Sequence, residues 1–143
     1  MNKWILYIAT ILLLCSSAAR AGEIDDGTKA YSEGNYAQAI ELLRPLAAKG
    51  EAVAQSYLGW MYDNGEGVTQ DYKEAVKWYR LAAAQGHTSA KYNLGVKYAK
   101  GEGVTQDYQE AVKWHRLAAA QGDAGAQYNL GLAYDNGEGV TQD

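Results

Sequence analysis

The residues best suited to chemistry fall at fixed intervals, and that regularity decides what they can do. Gly65-Glu66-Gly67 resembles the start of a phosphate cradle. Such a cradle needs a GxxxxGK[ST] run, or a GxGxxG between a strand and a helix. Neither is present, and the same loop recurs at Gly101 and Gly137, as suits a structural turn rather than a single ligand site. His87 and His115 are the only histidines; without cysteine partners or HExxH spacing they make no zinc site and read as surface or half-buried residues. Glu66, Glu102 and Glu138 repeat with Asp71 and its equivalents. Paired carboxylates hydrolyse glycosides only across a shaped cleft with split pKa values, and repeated helix-capping acids account for these more simply. No nucleophile–base pair accompanies them, so the expectation is a protein without catalytic residues, metal or cofactor.

The elements that carry these residues are written more than once. Gly65 to Trp78 returns at Gly101 to Trp114 with one change, Gln109 for Lys73, and Gly137 to Asp143 begins it again. Leu58-Gly59, Leu94-Gly95 and Leu130-Gly131 keep the same step, a period characteristic of a solenoid. In each unit the first helix buries a stripe such as Ala54, Leu58, Met61 and Tyr62. The second, Tyr72 to Gln85, buries Tyr72, Ala75, Val76, Trp78, Tyr79, Ala82 and Ala83 and exposes Lys73, Lys77 and Arg80. Gly65 ends the first helix in a left-handed cap, Asp71 and Glu74 form a capping box for the second, and Val68 plugs the loop. Residues 22–35 are a polar lead-in with a short helix around Thr28 to Glu33. Asn35 caps the next helix, in which Pro45 is an awkward member.

The N-terminus carries Lys3, an apolar run from Trp4 to Cys15, and a small-residue stretch ending in Ala19-Arg20-Ala21. This is the pattern of a secretory signal, residues 1–21, cleaved after Ala21 or Ala19; the alternatives are a retained anchor or a lipid-acceptor Cys15. Removing Lys3 and Arg20 takes the net charge from −4 to about −6. An acidic chain without Lys/Arg runs excludes nucleic acid and anionic membrane surfaces as partners, so no membrane contact is expected beyond the signal. Cys15 is the only cysteine, which leaves the mature chain without disulfides. Its expected location is periplasmic or secreted.

The patterns Ala-x-x-x-Leu-Gly-x-x-Tyr and Gly-x-Gly-Val-x-x-Asp-x-x-x-Ala-x-x-Trp-Tyr resemble the Sel1-like repeats, longer-looped relatives of the tetratricopeptide repeats. Ala54/Leu58/Gly59/Tyr62, Ala90/Leu94/Gly95/Tyr98 and Ala126/Leu130/Gly131/Tyr134 carry the match. Residues 51–86, 87–122 and a partial 123–143 form these repeats, and 22–50 form a lead-in and an opening unit that resembles an ordinary tetratricopeptide repeat. The resemblance implies an all-α, right-handed superhelical solenoid of antiparallel helix pairs, serving as an adaptor or scaffold in protein complexes, in bacteria often at the envelope. A cysteine-rich branch linked to β-lactam binding ties each helix pair with a disulfide. Those cysteines are missing here, so that activity is not carried over. The sequence stops at Asp143, where a cap for another helix stands, and the chain is expected to be truncated.

Opposite the buried stripe, the first helices present Ser56, Trp60 and Asp63, then Tyr92, Val96 and Ala99, then Tyr128, Leu132 and Asp135. These positions differ between units while the packing positions Ala54, Leu58, Gly59 and Tyr62 and their equivalents do not. In stacked helix pairs the first helices line the concave side, and aromatic anchors among small polar groups suit a protein or peptide partner. For Val96 and Leu132 packing on a neighbouring helix is the equal alternative. The rival for the whole surface is a cell-wall module that binds a peptidoglycan fragment or hydrolyses β-lactams.

Overall fold

The structure, a computed structural model, describes residues 21–140. The apolar N-terminal run and Cys15 lie outside them. Seven helices and no strands occur among the described residues: α1 (21–32), α2 (Tyr36–Ala48), α3 (Ala52–Asn64), α4 (Tyr72–Ala84), α5 (Thr88–Lys100), α6 (Tyr108–Ala119) and α7 (Ala124–Asn136). The all-helical architecture expected from the period is therefore present. Consecutive helices pack on each other, most extensively within the pairs α3–α4 and α5–α6.

Glycine spacing sets how closely the helices pack. A Cβ on Gly59 would lie 2.5 Å from the Tyr79 ring, so only glycine lets α4 press its tyrosine against α3. Gly95 does the same for His115 one unit later. Gly65 ends α3 at φ 72°, in the left-handed region, and its long loop returns under Val68, which packs against the first core cluster. Between units, Arg80 donates to the Tyr98 hydroxyl at 2.7 Å and Arg116 to that of Tyr134 at 2.7 Å. Each pair is also a guanidinium over a ring, which clasps one unit to the next.

The lead-in is one helix over residues 21–32 rather than a short helix around Thr28 to Glu33, because Ile24, Gly27, Ala30 and Tyr31 form a stripe that packs on α2 and α3. The capping box is half formed. Asp71 Oδ1 accepts from the amides of Lys73 and Glu74, but the Glu74 carboxylate turns to Lys77 at 3.1 Å instead of reaching back. Pro45 sits within α2 without ending it. His115 is neither surface nor half-buried: it is 4% exposed, in the place Tyr79 holds one unit earlier.

Candidate functional site

The first helices α1, α3 and α5 present their free faces side by side. Between them runs a cleft of about 430 Å3 that ends at Asp123, the cap of α7. Ser56 and Trp60 of α3 and Tyr92 of α5 line it together, as the sequence placed them on one face. Trp60 is 42% exposed at the rim, whereas Ser56 is buried at 7% and contributes to the wall. A second cleft of about 320 Å3, also lined by Trp60 and Tyr92, includes Asp63 and Val96. Val96 and Leu132 meet in a third, of about 230 Å3, between α5, α6 and α7. Tyr128 is 68% exposed and, with Asp135, stands apart from these three.

Helix-wheel reasoning missed two aromatic wall residues. Tyr31 and Tyr57 pack edge to face, centroids 5.2 Å apart at 75°, and both line the first cleft. The signal for Tyr31 was its apolar company in α1, which a lead-in reading ignores. Tyr57 stands where the later units carry Asn93 and Asn129, so the repeat hides it.

Three charged groups at the groove, Asp63, Lys97 and Glu102, are already engaged with one another. The Lys97 ammonium, only 6% exposed, is hydrogen-bonded to Asp63, lies 2.6 Å from Glu102, and sits 4.7 Å from the centre of the Tyr72 ring. Burial alone would lower its pKa, but the two carboxylates win and hold it above the ordinary lysine value. Tyr31 donates to Glu66 at 2.7 Å, and Tyr79 reaches Asp63 at 3.4 Å. Burial first, and the facing carboxylate second, push both phenols above their ordinary value, so neither exchanges protons near neutrality. Contrary to the sequence expectation, Glu66 and Glu102 cap no helix. They accept from Tyr31 and Lys97, the former 35 residues away, the latter in the helix just before the loop. Among the described residues no three His, Cys, Asp or Glu side chains converge as a metal site would require.

Both histidines titrate below their ordinary value near 6.5 because burial penalises the cation; for His115 the charge of Asp123 opposes this in part. A folded pKa below the unfolded one means that the unfolded chain takes up the proton first. Stability is then lost as pH falls below 6.5 toward the folded values, by about 1.4 kcal/mol for each unit of depression. Urea midpoints are expected to fall across that window in the native chain, and to fall less in His115→Tyr. An unchanged slope in the variant excludes His115 as the source.

A family model described as Sel1 repeat matches residues 16–51, 52–87, 88–123 and 124–143. The fold resembles the crystal structure of a Sel1 repeat protein from Oxalobacter formigenes, with TM-score 0.79 and 37% identity over 84% of this chain and 49% of that one. It also resembles a protective antigen present in uropathogenic Escherichia coli strains that displays an SLR fold. There the TM-score is 0.82, with 41% identity over 94% of this chain and 30% of that one. Helicobacter pylori cysteine rich protein B is more distant, with TM-score 0.61 and 26% identity over 65% of this chain and 70% of that one. The chain thus spans about half the length of the first relative and under a third of the second. No curated protein matches its sequence.

Proposed function

Because the chain belongs to the Sel1 repeat family, whose fold is generally a protein–protein interaction scaffold, we propose that it is an exported, non-catalytic adaptor that holds a protein or peptide segment in the groove of its first helices. The observation that carries this reading is the aromatic cleft. Trp60, Tyr92, Tyr31 and Tyr57 supply large, stiff contact surface beside the small polar groups of Ser56 and Asn93. Aromatic anchors of this kind dominate protein recognition. The charges nearest them are internally satisfied, so a visiting segment need not strip water from isolated ions. Export rests on the N-terminal pattern of Lys3, the apolar run and Ala19-Arg20-Ala21.

Trp60→Ala tests the assignment. With the residue already 42% exposed to solvent, the helical circular-dichroism signal should barely change. Affinity for a partner isolated from an envelope extract should fall by about 2 kcal/mol or more, the mark of an anchor residue. Unfolding of the variant, unaltered partner affinity, or calorimetric heat with muropeptides alone contradicts the proposal.

A further inference from the structure

The repeats supply their own internal comparison. In the layer between α3 and α5 the Lys97 ammonium is held by Asp63, Glu102 and the ring of Tyr72, and the Tyr79 hydroxyl reaches the same Asp63. One repeat on, between α5 and α7, the carboxylate and the ring persist as Glu138 and Tyr108. The side chains that fill the space do not: Lys97 becomes Ala133, Asp63 becomes Ala99, and Tyr79 becomes the shorter His115. A cleft lies at this place in both layers: the earlier one, of about 320 Å3, is lined by Asp63 and Lys97 themselves, whereas the truncated one, of about 230 Å3, is lined by Ala99, Ala133, Tyr108 and Glu138 and reaches His115 and Val112 of α6. The buried His115 Nδ1 has no hydrogen-bond partner, and Glu138 has no ion-pair partner among the described residues.

We propose that this cavity receives the side chain of a lysine from the bound partner, its ammonium between Glu138 and the Tyr108 ring and its alkyl stem along Leu132 and Ala133. The visiting lysine takes the place that Lys97 fills from within the chain one layer earlier. An ammonium over an aromatic face beside a carboxylate is attracted by both. Lys100 at the rim is the one cation lining the cavity, and the protein's net charge of −4 favours a basic segment over an acidic one. The inference rests on the groove as a partner-binding surface and names one anchor of that partner.

The test titrates the full chain with Nα-acetyl-lysine methylamide, and separately with the norleucine analogue, following the His115 and Tyr108 ring resonances. The lysine compound is expected to give saturable shifts, with roughly fivefold to tenfold weaker binding in Glu138→Gln. Ala133→Lys, which restores the internal side chain, should abolish the shifts. Absence of shifts, equal binding of norleucine, or undiminished binding in both variants overturns the proposal. Lysine binding together with unaltered partner affinity in Trp60→Ala supports the cavity and overturns the wider groove reading. No lysine binding, with partner affinity lost in Trp60→Ala, overturns the cavity alone.

Discussion

Tyr79→Ala is expected to lower folding stability by about 3 to 5 kcal/mol, as emptying a fully buried aromatic site usually does. The ring is 0% exposed and lies against Gly59, so the cavity left behind opens onto backbone that cannot collapse without moving α4 toward α3. Tyr79→Phe separates the ring from the hydroxyl. Its bond to Asp63 is long, at 3.4 Å, and Asp63 keeps Lys97, so that loss should be about 1 kcal/mol or less. Tyr79→His, which writes His115 into the earlier unit, should fall between the two. Urea unfolding of the three variants checks the order; a Phe variant as damaged as the Ala variant would locate the energy in the hydroxyl instead of the packing.

Lys97→Ala should cost about 3 kcal/mol, near the lower end for breaking a buried ion pair, because Glu102 keeps 27% of its side chain in water. Removing the ammonium leaves Asp63, 12% exposed, facing a second carboxylate without compensation. The double variant Asp63→Ala with Lys97→Ala reproduces the Ala99 and Ala133 of the next layer. It should recover part of the loss, so a double-mutant cycle should give a favourable coupling of about 1 to 3 kcal/mol. The pH dependence follows from the raised lysine value. The pair's contribution is complete below the ordinary lysine value near 10.5 and is lost only as pH rises through the higher folded one. Denaturant midpoints at neutral and strongly alkaline pH, compared between native and Lys97→Ala chains, check this; additive single losses in the cycle would deny the coupling.

Much of the fold was legible because its determinants are local and repeated. Gly65, Gly101 and Gly137 sit at the left-handed ends of α3, α5 and α7, and Asn35, Asp71 and Asp107 cap the helices that follow them. The residues that escaped are those whose environment is set by another unit. A lysine on a helical wheel reads as solvated, and nothing within α5 reveals that Asp63, 34 residues earlier, awaits Lys97. The same position holds Met61 and Ala133 in the flanking units, so the period offered no guide. His115 was misjudged for a related reason: its burial follows from Gly95 opposite, a pairing that the Tyr79–Gly59 contact would have disclosed only in three dimensions. Of the groove, the positions free to vary were readable, but not which of them share a cleft. Tyr128 and Trp60 share one face on paper, yet only Trp60 lines a cleft with Tyr31 of α1.

On the proposed adaptor role, the first-helix face receives a partner while the second-helix face does not. Site-specific photocrosslinking tests it most directly, with p-benzoylphenylalanine placed at Trp60 in the groove or at Leu81 on α4, positions of similar exposure at 42% and 44%. Exposed to the same envelope extract, the chain labelled at 60 is expected to give a discrete adduct that excess unlabelled protein competes away, and the chain labelled at 81 none. A competed adduct from position 81 with none from position 60 would place the partner on the second-helix face and overturn the proposed groove.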